Sequence, residues 1–166
     1  MNLNDFRCID SNIDVIKYIN FREMVKKNMN NPDWLGDFSK EDLIYLLNNG
    51  AKIWVYYSND EPVCSMMSIP SSNKSVNKMG LKLDYKKAID YGPMFVNPKF
   101  VGNKLQYKML QEIDKYSKNK GYSYAITTIH PDNIYSINNV VKDGFEFSSQ
   151  REFSRGLRNI YFKKLT

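Results

Sequence analysis

The chain has 166 residues, 42% hydrophobic and 14% aromatic, with 24 Lys and Arg against 18 Asp and Glu for a formal charge of +6. That length and apolar content suit one domain, expected to span residues 1–166, and exclude a disordered chain. No apolar run reaches the roughly 18 residues of a membrane-spanning helix, and MNLNDFRCID has acidic residues where a signal peptide is apolar, so a cytoplasmic protein without membrane contact is expected.

Cys8 and Cys64 are too few and too isolated for a disulfide framework or a zinc site, and both are read as buried, reduced thiols. Much of the positive excess lies in the C-terminal half, from Lys99 to Lys164. It suits an anionic partner such as a phosphorylated cofactor, although a solvated lysine-rich face explains most of these residues.

In chain order, Asp5 to Ile9 forms a short strand. Ser11 is placed to cap a helix running to about Lys27, with Ile13, Ile16 and Ile19 on one side. After a loop carrying Pro32, Trp34 and Gly36, Ser39 and Asp42 approximate a capping box. Leu43, Leu46 and Leu47 give that second helix its apolar face, and Gly50 ends it. Ile53–Tyr57 and Val63–Ile69 are β-branched and aromatic, and the turn Ser58-Asn59-Asp60-Glu61 joins them as a hairpin. The polar tract Ser71–Lys78 reads as an exposed loop, either a plain connection or a substrate lid.

A further strand, from about Lys86 to Val96, is interrupted at Gly92-Pro93, where a bulge or splay is expected because proline has no N–H for a ladder. Leu105, Met109, Ile113 and Tyr116 recur at helical spacing until Lys120-Gly121 stops the helix. Tyr122–Thr128 is a strand, Ile129–Asn133 a turn and Ile134–Val141 a short helix closed by Gly144. Phe145–Arg151 and Asn159–Leu165 complete the chain as strands. The order β-α-α-β-β-β-α-β-α-β-β describes an α/β domain with a mixed sheet.

The stretch VNPKFVGNKL, Val96 to Leu105, carries the chemistry. A helix start leaves backbone N–H groups unpaired and adds about half a positive charge from the macrodipole. A tight turn before it aims further N–H groups at one point, making an anion nest. Gly102 lets a diphosphate approach the backbone, and Lys99 and Lys104 add charge at the rim. A lone glycine beside a helix start is common, so the stretch is weak evidence by itself. Together with the downstream helix, strand, HPDN and KDGFEF, the arrangement resembles the GNAT superfamily of acyl-CoA-dependent N-acetyltransferases.

The resemblance implies a single GNAT-like domain, its mixed central sheet splayed between strands 4 and 5 and flanked by about four helices. It implies acetyl-CoA as co-substrate, held by Lys99, Val101, Gly102, Asn103 and Lys104 around the pyrophosphate. Met94, Phe95 and Val96 would meet the pantetheine along an open strand edge, with Met94 or Phe95 donating to the thioester oxygen. Asn133 and Ser136 match the family's spacing ahead of Gly144-Phe145 and would contact the pantetheine arm. Lys104 departs from the pattern by replacing a small residue, and Val140 departs by standing where members often carry a tyrosine acid.

Tyr135 on the same helix is then the candidate acid; Asp90, with Asp84 just before it, is the candidate base; and His130, the one histidine, has a pKa suited to proton shuttling. The implied reaction moves an acetyl group directly to a primary amine on a small molecule or peptide, without nucleic acid; pairing into a homodimer is left open. Asp33, Asp37, Glu41 and Asp42 are a candidate acidic pocket with Trp34 as its wall. The alternatives are an inactive module of the same fold that senses acyl-CoA, motivated by Val140, and a basic nucleic-acid-binding domain, for which no recognisable motif exists.

Overall fold

The structure is a computed structural model describing residues 5–9 and 12–165, with side chains from Asp14 onward. Its strands are β1 (Asp5–Ile9), β2 (Lys52–Ser58), β3 (Glu61–Pro70), β4 (Ala88–Val96), β5 (Tyr124–Ile129), β6 (Glu146–Phe153) and β7 (Gly156–Lys164). Its helices are α1 (Asn12–Lys27), α2 (Lys40–Asn48), α3 (Asn73–Lys78), α4 (Leu105–Asn119) and α5 (Ile134–Lys142). The expected mixed α/β class forms, with α3 added to the expected order. Ser11 and the side chain of Cys8 lie outside the described residues. Two compact units divide the chain, one of residues 1–69 with 93–106 and one of 70–92 with 107–166.

In the first unit β1, β2 and β3 pair in that order, both pairings antiparallel. Asn59 and Asp60 take φ of 50° and 61° in the two-residue turn joining β2 to β3, a left-handed conformation that short Asx side chains tolerate. The buried face of α1 is Val15, Tyr18, Phe21 and Val25, spaced three to four residues apart and packed on Leu43, Ile53, Val55, Met67 and Phe95. The expected face is therefore rotated: Ile16 is 48% exposed and Ile19 only partly buried. α1 has apolar residues around much of its circumference, and the face carrying two aromatic rings removes more surface from water. The capping box of α2 forms, with Ser39 Oγ accepting from Asp42 N–H (3.0 Å) and Asp42 Oδ2 from Ser39 N–H (3.2 Å).

In the second unit the order is β4-β5-β7-β6, with β4 parallel to β5 and the remaining pairs antiparallel. The tract expected to be an exposed loop holds α3 instead. Ser72 and Ser75 cap it reciprocally at 3.0 Å, and Val76, Met79 and Leu81 bury themselves on Ala88, Ile126 and Ile160. Three apolar residues hidden among polar ones dock this segment over the sheet. Next to it Gly80, at φ +68°, packs against the Arg151 guanidinium; the long arginine side chain could swing aside from an added Cβ, so it is the positive φ that favours glycine here.

Beneath α4 and α5 lies a buried polar network. Lys163 Nζ donates to Asp114 Oδ2, to Asp143 Oδ2 and to the Asp143 carbonyl (3.0 Å), and sits 4.8 Å over the Phe145 ring. The Tyr91 hydroxyl lies 2.9 Å from both Asp114 Oδ1 and Ser117 Oγ, and its one proton goes to the carboxylate. Because Asp143 is the C-cap of α5, the ammonium also ties down that helix end.

Candidate functional site

The first unit presents the loop that leads into α4. Asn97, 1% exposed, ends β4: its N–H donates to Val63 O (2.9 Å) and its Nδ2 to Glu61 Oε1 (3.2 Å), while its Oδ1 accepts from Lys99 N–H (3.1 Å). These bonds fix the start of the turn 98–104 against β3. Leu105, 2% exposed, anchors the helix behind it. Between these anchors Val101, Gly102, Asn103 and Lys104 are all exposed. Gly102 has φ +89°, and an added Cβ would meet nothing within 4 Å, so the backbone here faces open space. Glycine leaves that space clear, since any side chain here would project into it.

Lys104 has φ +57°, a left-handed conformation costing a residue with a Cβ about 1–2 kcal/mol. A glycine would bear that conformation at less cost than this lysine. Lys99 is exposed and lies 3.6 Å from Glu61 Oε1, so its ammonium already has a carboxylate partner. Of the strand residues before the loop, Phe95 is buried against the Tyr18 and Phe21 rings at 5.7 and 5.1 Å. Met94 and Val96 are partly exposed.

In the second unit the β4–β5 ladder holds for only three pairs, Ala88, Ile89 and Asp90 against Tyr124, Ala125 and Ile126. Beyond them the Thr127 hydroxyl donates to Tyr91 O (2.8 Å) in place of a ladder bond, and Gly92 takes φ +134°. The interruption expected at Gly92-Pro93 is present.

Asp90 stands at the last ladder pair, where its carboxyl accepts from Ser71 Oγ (2.7 Å). Burial pushes its pKa up to about 6, partly offset by hydrogen bonds from Ser71 and Ser75. Asp143 is likewise pushed up to about 6, by burial first, with the Lys163 bond opposing. A carboxyl whose folded pKa exceeds its unfolded value stabilises the fold while protonated and loses that contribution as pH rises through the folded pKa. The wild type is therefore expected to lose stability from these groups between pH 4 and 6.5. Asp90→Asn should remove its own share, at most about 3 kcal/mol at one pKa unit per 1.4 kcal/mol. Urea denaturation of both proteins across that range checks this, and identical slopes would refute it.

The remaining candidates lie on one turn and its helix. His130 Nδ1 accepts from Asp132 N–H (3.2 Å), a turn-forming bond. Asn133 caps α5, its Oδ1 accepting from Ser136 N–H (3.2 Å). Tyr135 is 79% exposed, and Val140 is 3% exposed. Asp84 caps a helical turn through Lys86 N–H (3.0 Å). Of the acidic pocket expected near Trp34, Asp37 pairs with Lys26 (2.5 Å) and Asp42 is engaged in the capping box of α2. Sequence reasoning missed Ser71 and Ser75, which hold Asp90 from a tract read as loop. It also missed Asn97, for which an Asn-Pro turn at a strand end was the available signal.

The architecture is that of GNAT acetyltransferases. An N-acetyltransferase from Staphylococcus aureus Mu50 is similar over 98% of this chain and 98% of its own, with a TM-score of 0.73 and 17% identity. A GNAT-family acetyltransferase from Streptococcus pneumoniae gives 0.71 over 96% of this chain and 99% of its own at 12% identity. A putative acetyltransferase from Salmonella typhimurium, solved with its cofactor acetyl-CoA, gives 0.71 over 98% and 94% at 14% identity. No protein-family model and no curated protein matches the sequence. At these identities the likeness establishes the fold.

Proposed function

We propose that the protein transfers an acetyl group from acetyl-CoA directly to a primary amine. The Gly102 cradle at the head of α4 carries this reading, supported by the acetyl-CoA-bound Salmonella protein of the same fold. Backbone N–H groups of 102–104 would hold the pyrophosphate, Val101 N–H being donated to Pro98 O (3.4 Å), with Lys104 adding charge and Lys99 exchanging Glu61 for phosphate. Asn97 N–H points to β3, so strand alternation turns Phe95 N–H the same way and leaves Met94 and Val96 N–H on the opposite edge. Met94 is accordingly the proposed donor to the thioester oxygen, worth about 3 kcal/mol in the transition state. On α5, Asn133 and Ser136 are assigned to the pantetheine arm; Asn133 caps with its oxygen, and its amide N–H₂ is the group that would serve.

In the reaction the amine nitrogen forms a bond to the acetyl carbon, the C–S bond breaks, one proton leaves the nitrogen and one reaches the thiolate. Asp90, with its pKa near 6, is the proposed proton acceptor, and Tyr135 remains the proposed acid. Asp90→Asn is expected to lower kcat/KM about 100-fold and to abolish an apparent pKa near 6 in its pH profile. A rate and profile unchanged by Asp90→Asn would remove it from the mechanism.

The test of the function itself is thermal stabilisation by acetyl-CoA together with thiol release across a panel of amines. Val140 favours one second reading, because burial of an aliphatic side chain there leaves no hydroxyl at the usual acid position. A module that only senses acyl-CoA would be stabilised by acetyl-CoA and release no thiol with any amine.

A further inference from the structure

In the second unit, the segment that carries α3 opens with serines put to different uses. Ser72 and Ser75 cap the helix reciprocally, each backbone N–H reaching the other's hydroxyl at 3.0 Å. Ser71 lies outside that cap and is 9% exposed. Its N–H donates to Ala88 O (3.1 Å) and its hydroxyl to Asp90 Oδ1 (2.7 Å), so it is pinned to β4 at two points. Burial of Val76, Met79 and Leu81 on Ala88, Ile126 and Ile160 keeps the segment in that place. A distance of 2.7 Å is that of a hydroxyl donating to an ionised carboxylate. The Ser75 hydroxyl also has the Ser72 carbonyl as an acceptor (2.9 Å), so it gives Asp90 the smaller share.

No cation does this work. The ionisable side chains on the elements about Asp90 are Lys74 and Lys78 on α3, Tyr91 beside it on β4 and Tyr124 on β5. Both lysines are exposed, the Tyr91 hydroxyl is bound to Asp114, and the ladder partner of Asp90 is Ile126. What opposes burial of the carboxylate is therefore the pair of serine hydroxyls, Ser71 first.

We propose that Ser71 is a positioning residue for proton transfer: its hydroxyl holds Asp90 Oδ1 and favours the charged carboxylate, which takes the proton of the amine nitrogen. This rests on the proposed acetyl transfer and adds to it the group that readies its base. A carboxylate has about four acceptor sites, so the serines leave capacity for that proton. As the proton moves to Asp90, the nitrogen lone pair closes on the acetyl carbon and the C–S pair leaves with sulfur.

The experiment measures kcat/KM by thiol release from pH 5 to pH 9, with the fastest amine among phenethylamine, spermidine and kanamycin. Wild type, Ser71→Ala, Ser71→Cys, Ser71→Thr and Asp90→Asn are compared. The Asp90 carboxyl is followed over the same range by carbon-13 NMR without substrate, its signal being the one that Asp90→Asn loses. Loss of a hydrogen bond to the charged form raises a carboxyl pKa, so Ser71→Ala should move both the acid limb and the NMR titration up by about one pH unit from about 6. The rate then falls about fivefold at pH 6 and less than about twofold at pH 8. Ser71→Cys, a weaker donor, should shift both the same way by less, and Ser71→Thr, which keeps the hydroxyl, should restore them.

An acid limb and a carboxyl titration that Ser71→Ala and Ser71→Cys leave in place overturn the inference, whatever the melting temperature does. An equal shift in Ser71→Thr overturns it too, as does activity that Asp90→Asn leaves unaltered. A wild type that releases no thiol with these amines, while Ser71→Ala still raises the carboxyl titration, upholds the serine's hold on Asp90 and counts against acetyl transfer.

Discussion

Lys163→Met should lower stability by about 3–5 kcal/mol, because removing one partner of a buried ion pair leaves the other charge uncompensated. Here two carboxylates lose their cation together. The side chains of Lys163 and Asp143 are 7% and 4% exposed, and Asp114 is 15% exposed, so water cannot replace the ammonium readily. The Asp143 carbonyl at the end of α5 loses its donor as well. At about 2–4 °C per kcal/mol for a domain of this size, the melting temperature should fall by about 10 °C or more. The deficit should shrink near pH 5, where Asp143, with its pKa near 6, can take a proton and shed its charge. Adding Asp114→Asn and Asp143→Asn to Lys163→Met should recover part of the loss, since neutral amides are cheaper to bury than unpaired carboxylates. Thermal and urea unfolding at pH 5 and pH 7.5 measure both effects. A loss below about 1 kcal/mol at neutral pH would mean that solvent reaches the network.

Gly102→Val should weaken acetyl-CoA binding about 100-fold or more, equivalent to about 2.7 kcal/mol. Two effects act together: a β-branched residue resists φ +89°, and its methyl groups project into the open space beside the backbone. A second glycine separates them. Gly121 sits beyond the other end of α4 at φ +82° with nothing within 4 Å of an added Cβ, so Gly121→Val imposes similar backbone strain away from the cradle. Gly121→Val should lower the melting temperature comparably while keeping wild-type affinity for acetyl-CoA by calorimetry. Unchanged affinity in Gly102→Val would overturn the cradle; equal loss in both would assign the effect to general destabilisation.

Local signals in the sequence translated well into structure. Ser39 and Asp42 predict a capping box because its bonds join residues three apart. Ser58-Asn59-Asp60-Glu61 predicts the hairpin because Asn and Asp accept the positive φ that its turn demands. Gly92-Pro93 predicts the irregularity in β4 for a similar reason. α3 is not legible in the sequence because six residues, mostly polar, give little periodicity; what makes it a helix is the burial of Val76 beneath a reciprocal serine cap. The face of α1 is ambiguous because apolar residues line more than one side, and only the packing of Tyr18 and Phe21 on Phe95 decides between them.

By itself the sequence determined the α/β class, most element boundaries, and the turn with one glycine at the mouth of α4. These depend on backbone preferences and hydrogen bonds spanning a few residues. The tertiary structure alone decided which charges meet. Lys163 finds Asp114 across 49 residues and Asp143 across 20, while Ser71 reaches Asp90 across 19. It also left Lys99 beside Glu61. Burial sets the energies of such groups, and burial depends on how distant segments pack, which no local pattern of residue types encodes.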